Sequence, residues 1–163
     1  MSSDFKPSKL EKKQFRDMLP DKNKIAITKF QEENSSKYTL IFDTNFLFVP
    51  FEFRVEIISE IQRILGNNVS FAIIEQSIYE LEEIEKKKKK NKKFLPLIAT
   101  LIKVYNVSII TELNSKNHYV DDVLFQLPKE YIIATNDKEL KKRIWDNGRR
   151  TIFMRQKSYL DIK

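Results

Sequence analysis

Acidic residues in four stretches of this chain could do chemistry together. Asp43 closes the apolar run of "YTLIFDTNFLFVPF" (38–51), a glutamate of "SIYELEEI" (77–84) follows, then the pair Asp121 and Asp122 of "YVDDVLFQL", then Asp137 of "YIIATNDKEL". A carboxylate in company as apolar as that of Asp43 needs a partner, because burying its charge alone is costly or shifts its pKa. Carboxylates brought to one place repel, and cannot all stay ionised without cations. Donors that are all oxygen suit magnesium or manganese rather than zinc. The sequence has no cysteine, so zinc-thiolate sites, disulfides and thiol nucleophiles are excluded. Each acid also has a plainer role when taken singly. Asp121 suits the first turn of a helix, Asp137 can cap "DKELKKRIW", and Glu80 can simply be solvated.

Whether these acids meet depends on the elements that carry them. Short β-rich runs at 40–42, 70–73, 107–110, 131–134 and 151–153 alternate with longer helical stretches, which predicts a parallel sheet flanked by helices. In such a sheet ligands gather beyond the carboxyl ends of the strands, where strand order reverses. Asp43 follows the first of these runs and Asp137 the fourth. In "RVEIISEIQRIL", Val55, Ile58, Ile61, Ile64 and Leu65 recur at helical spacing before Gly66 ends the helix. In "SIYELEEI", Ile78, Leu81 and Ile84 share one face. Glu80 and Glu82 stand on opposite flanks of that stripe, so periodicity does not choose between them. "FLPLIATLIKVY" is apolar enough to be largely buried. Residues 1–37 are lysine-rich and polar and read as a peripheral basic arm, with a short helix over "KLEKKQFRDML" and a second over 21–34; residues 38–163 read as the main domain.

With 163 residues, 41% of them hydrophobic, the chain can bury a real core. Its 30 Lys and Arg against 23 Asp and Glu leave a net charge of +7, which favours a polyanionic partner. The run "EKKKKKNKK" (85–93) reads either as a solvated hinge or frayed helix end, or as a nucleic-acid contact. "KKRIWDNGRR", with Lys141, Lys142, Arg143, Arg149 and Arg150, reads either as the wall of a nucleic-acid channel or as a helix end whose cations suit the dipole and whose Gly148 is the stop. The single histidine, His118, reads as a surface or helix-entry residue. Only two glycines occur, so a glycine-rich phosphate loop is absent. No secretory or membrane-spanning apolar run is visible, and the expectation is a cytoplasmic protein with no membrane partner.

The ordered set "DTNFL", "SIYELEEI", "VDDVL" and "ATNDKEL" resembles the PIN-domain nucleases over residues 38–163, closest in flavour to the ribosomal-RNA-processing branch and its archaeal relatives. That resemblance implies a five-stranded parallel α/β sheet in the order 3-2-1-4-5. It implies Asp43, Glu80, Asp121 and Asp137 as catalytic metal ligands, with Asp122 auxiliary and Asn45 and Thr135 supporting them, and it selects Glu80 over Glu82. One or two Mg²⁺ or Mn²⁺ ions would activate water for hydrolysis of RNA phosphodiester bonds in rRNA processing or RNA turnover. The expected substrate is single-stranded RNA or structured rRNA or tRNA, and a homodimer is compatible with the sequence. Two other readings stand beside this one: an RNA-binding scaffold of the same fold that does not cut, and the toxin ribonuclease of a toxin-antitoxin pair. A phospho-receiver domain is set aside, because "VSIITELNSK" lacks the acceptor aspartate after the third strand.

Overall fold

The computed structural model describes residues 13–113 and 119–163. His118 and the first four residues of the first expected helix (9–19) lie outside them; in the rest of that stretch Phe15–Met18 form a 3-10 turn where a longer helix was expected. Among the described residues seven strands form one sheet: β1 Lys24–Ala26, β2 Tyr38–Phe42, β3 Val69–Ile74, β4 Ser108–Thr111, β5 Ile132–Ala134, β6 Thr151–Arg155 and β7 Tyr159–Ile162. Their order is β1-β4-β3-β2-β5-β6-β7. The inner five are the expected strands in the expected order and are mutually parallel. The expectation of a purely parallel five-stranded sheet is corrected at both edges, by parallel β1 and antiparallel β7.

The helices are α1 Ile27–Glu33, α2 Val49–Phe53, α3 Ile57–Leu65, α4 Glu75–Lys86, α5 Leu95–Val104, α6 Val120–Gln126 and α7 Lys138–Asp146. They cover both faces of the sheet. Strand side chains alternate, so Leu40, Phe42, Phe71 and Ile73 join one core with α3, α4 and α5, while Ile41, Ala72 and Ile74 join a second core with α1, α6 and α7. Leu40, Ile41 and Phe42 are all fully buried. A central parallel strand is covered on both sides, which is why its sequence is apolar without alternation.

The segment read as a peripheral arm is built into this body from residue 13 onward. Phe15 is fully buried in the first core, and its N–H donates to Glu85 Oε2 at 2.9 Å. The Asn23 amide donates to the carbonyls of Ile102 and Val107 at 3.3 and 3.0 Å, and β1 then pairs with β4. The helix expected over 21–34 is thus divided into a 3-10 turn at Asp21–Asn23, β1 and α1.

The lysine run contains a defined helix stop. Lys88 has φ +50°, its N–H donates to Glu85 O and that of Lys89 to Ile84 O, both at 3.3 Å. This is the pair of bonds with which a left-handed residue closes a helix, here with lysine where glycine is usual. A 3-10 turn, Lys90–Phe94, then leads into α5.

Candidate active site

Asp43 follows β2 directly and Asp137 lies just beyond β5. Because β2 and β5 pair with Phe42 opposite Ala134, the two acids emerge from neighbouring strand ends, and the Asp43 N–H donates to the Ala134 carbonyl at 2.9 Å. The Asp43 carboxylate is 6% exposed and both its oxygens are held. Oδ1 accepts the Thr44 N–H and Oδ2 accepts the Thr135 hydroxyl, each at 2.8 Å. Thr135 is itself fully buried, and its hydroxyl oxygen accepts the Asp137 N–H at 3.1 Å. Thr135 therefore ties two of the expected acids to one pivot.

Glu80 reaches the same place from α4. The Thr44 hydroxyl donates to Glu80 Oε1 at 2.5 Å and shares a 2.8 Å contact with the buried Ser77 hydroxyl. Glu82 points elsewhere: Arg16 grips it through Nη2 at 2.6 Å and Nε at 3.1 Å. That bond holds the Glu82 carboxyl below its ordinary range, through the hydrogen bond first. Glu82 fastens the N-terminal segment, which leaves Glu80 as the acid at the crevice.

Asp121 and Asp122 sit in the first turn of α6, where Tyr119 is the N-cap residue and its side chain makes no capping bond. Neighbours on a helix diverge by about 100°, and the two acids do different things. Asp122 pairs with Arg143 at 3.0 Å, while Asp121 lies within the electrostatic reach of the other acids. Burial raises Asp43 to a pKa of about 6, against the pull of Thr135, with Asp121 and Glu80 adding to the rise. Glu80 is raised by burial and by Asp121. Asp121 is raised by burial and then by Asp137. Asp137 also caps α7, accepting the Leu140 N–H at 2.9 Å, so its structural role coexists with its place in the crevice. Asn45 stands exposed on the 3-10 turn Thr44–Phe48.

These acids feel one another, yet among the described residues no three acidic or histidine side chains are gathered closely enough to be a ready-made metal-ligand group. The donor set is oxygen only, and the raised Asp43 carboxyl would gain from a cation, so the residues fit a hard divalent ion in their chemistry. Closing them around one requires side-chain movement.

Residues 40–157 match the family described as a PIN like domain. The chain belongs to that family. Over 129 residues it is 32% identical to Ribonuclease VapC4 of Methanocaldococcus jannaschii, an alignment that spans 77% of this chain and 96% of that protein. Its fold is similar to that of the PIN domain endonuclease Utp24, with a TM-score of 0.63 at 22% identity, over 77% of this chain and 91% of the other.

The basic residues of this PIN-like domain divide. Lys141 lies one turn into α7, over the rings of Phe153 and Trp145 at 4.7 and 5.6 Å. Its pKa is lowered, chiefly by burial and then by Lys138. Lys142 and Arg143 are exposed on the same helix. Arg149 corrects the expectation of a nucleic-acid contact. It is 4% exposed and donates to the carbonyls of Phe125 at 2.7 Å and Pro128 at 3.4 Å, a buried tie between α7 and the end of α6. Arg150 is exposed, but it precedes β6 and lies over the Tyr38 ring at 5.5 Å, at the amino ends of strands whose carboxyl ends bear the acids. The hydroxyl beside the strand-end aspartate is legible in the sequence, but the link from Thr44 to Glu80 and the part played by Ser77 are not. The signal for Ser77 was its place three residues before Glu80, a spacing that shares a helix face.

Proposed function

We propose that this PIN-like domain is a divalent-metal-dependent ribonuclease that hydrolyses RNA phosphodiester bonds internally. One observation carries the reading: the buried strand-end carboxylate of Asp43 is fixed by Thr44 and Thr135, and the same Thr44 holds Glu80 through its hydroxyl, so acids from two separate elements are brought to one crevice. The similarity to a protein named as a ribonuclease supports RNA as the substrate. Asp43, Glu80, Asp121 and Asp137 would hold one or two Mg²⁺ or Mn²⁺ ions, with Asp122 auxiliary. Bound there, such an ion supplies activation of water and neutralisation of the charge that develops as the phosphodiester is cleaved.

The chain's own residues do the positioning. The Thr44 N–H and the Thr135 hydroxyl fix both oxygens of Asp43. The Thr44 hydroxyl orients Glu80, with Ser77 behind it. Arg143 holds Asp122 aside from Asp121, and Lys141 and Lys142 offer cations to the approaching phosphates. Among the described residues no helix is long and apolar enough to cross a membrane.

The test is incubation of the pure protein with end-labelled single-stranded and structured RNA in Mn²⁺, Mg²⁺ or EDTA. Internal cuts with either metal, none with EDTA and none from an Asp43→Asn protein are the expected result. Intact RNA in every lane from a folded protein overturns the reading.

A further inference from the structure

A second basic surface lies outside the acidic crevice. The turn after α4 carries Lys88, Lys89, Lys90, Lys92 and Lys93, all exposed. Among the described residues none of these five enters an ion pair, whereas Lys86 and Lys87 share Glu83 at 3.8 Å. Backbone hydrogen bonds from Lys88, Lys89 and Lys92 give the segment a compact turn, which gathers five lysines within six residues. Gathering them costs repulsion, to which the left-handed Lys88 adds backbone strain. An anion lying across the turn would relieve that repulsion.

The turn also has an aromatic floor. Phe94, at its end, stacks on Phe51 of α2 with ring centroids 5.9 Å apart and planes 22° from parallel. Both rings are half-buried, and Lys93 Nζ sits 5.2 Å over Phe94. Phe51, Phe94, Lys89, Lys90 and Lys93 together line a cavity of about 510 Å³, whose one acidic wall residue is Glu52. Lysines around an accessible aromatic pair are what a flexible nucleic-acid strand uses, the cations on its phosphates and the rings under its bases.

The cavity is tied to the crevice by the chain itself. One wall, α2, continues directly from the 3-10 turn Thr44–Phe48, which Asp43 caps. The other wall follows α4, which carries Glu80 and ends at Lys86, about 9 Å further along the helix axis. Both walls therefore spring from segments that hold acids of the site.

We propose that Lys89, Lys90 and Lys93, with Phe51 and Phe94, form a docking surface for the single-stranded RNA whose neighbouring phosphodiester enters the acidic crevice. The surface rests on the ribonuclease reading and adds to it where the strand is held. It takes phosphates by charge and one or two bases by stacking, without reading sequence.

The test uses the full chain carrying Asp43→Asn, so that RNA is bound without being cut, and a labelled single-stranded RNA at several salt concentrations. Adding Lys89→Ala, Lys90→Ala and Lys93→Ala should weaken binding at least tenfold and flatten the plot of log affinity against log salt by about two. The melting temperature should be unchanged, because all three lysines are exposed. Glu52→Gln should tighten binding. An unchanged affinity and slope in the triple variant, when the wild-type chain still cleaves RNA, overturns the docking surface and leaves the nuclease reading standing. RNA neither bound nor cut overturns both. Loss of binding to anionic phospholipid vesicles without loss of RNA binding assigns the lysines to a membrane surface and also overturns the proposal.

Discussion

Thr135 and Asp43, 92 residues apart in sequence, are joined by a 2.8 Å hydrogen bond from the threonine hydroxyl to Oδ2 of the carboxylate. That bond is the largest influence lowering the Asp43 pKa against its burial. Thr135→Val keeps the shape and removes the donor. Leaving a buried oxygen unpaired should cost about 1–3 kcal/mol in thermal or denaturant unfolding at neutral pH. The activity profile should also move to higher pH, because Asp43 would rise further. An unshifted profile would place Asp43 outside the chemistry.

The metal-free protein should lose stability as pH rises through the range set by Asp43. Its folded pKa of about 6 lies above the ordinary 3.8, so the folded state binds the extra proton. That contribution is complete below pH 4 and lost as pH climbs through 6. Glu80 and Asp121, also raised, act in the same sense. Asp43→Asn should therefore abolish cleavage while raising stability at pH 7 by on the order of 2 kcal/mol. Calorimetric melts in EDTA from pH 4 to 8 check the slope in both proteins.

Glu80 and Glu82 lie on one helix and separate cleanly by mutation. Glu80→Gln should remove at least 99% of metal-dependent cleavage with little effect on folding, an estimate of roughly 3 kcal/mol of transition-state stabilisation. Glu82→Gln breaks the partly exposed pair with Arg16 and should cost about 1 kcal/mol or less while leaving the cleavage rate near wild type. Matched rates and melts of the two variants decide the matter.

Asp121 and Asp122 should differ likewise. Asp121→Asn should weaken Mn²⁺ binding, read by titration calorimetry, and cost at least as much activity as Asp43→Asn. Asp122→Asn frees Arg143 from a 3.0 Å pair and should leave measurable cleavage. Wild-type Mn²⁺ binding by the Asp121 variant would refute its role as a ligand.

Arg149 should behave as a structural residue. Arg149→Ala strips two carbonyls of their donor and opens a cavity between α6 and α7. The expected loss is about 2–4 kcal/mol in unfolding, with no change in the salt dependence of RNA binding. A flatter salt slope at unchanged stability would return it to the nucleic-acid surface.

Local pattern reached the inner strands and singled out Asp43, Asp121 and Asp137, because these are written in short stretches; the strand order and the choice of Glu80 over Glu82 came from the resemblance to the PIN-domain nucleases. A strand buried on both faces must be apolar throughout, as Leu40 to Phe42 are, and an aspartate that ends such a run stands out. Hydroxyls near such acids, as in "DTN" and "ATND", are equally local. The edges of the sheet were not legible. β1 is three residues long, too short for alternation to register. β7 is joined to β6 by the three residues Gln156, Lys157 and Ser158, the first two with positive φ, where a tight hairpin usually announces itself by glycine or asparagine. The roles of Glu82, Arg149 and Arg150 were decided only by tertiary structure. A charged side chain's task depends on which distant atoms fold against it: Arg16 for Glu82, the Phe125 and Pro128 carbonyls for Arg149, and the opposite end of the sheet for Arg150. Sequence determined which residues could do chemistry. The parallel register of β2 and β5 decided which of them meet, because pairing Phe42 with Ala134 places Asp43 and Thr135 side by side across 92 residues of chain.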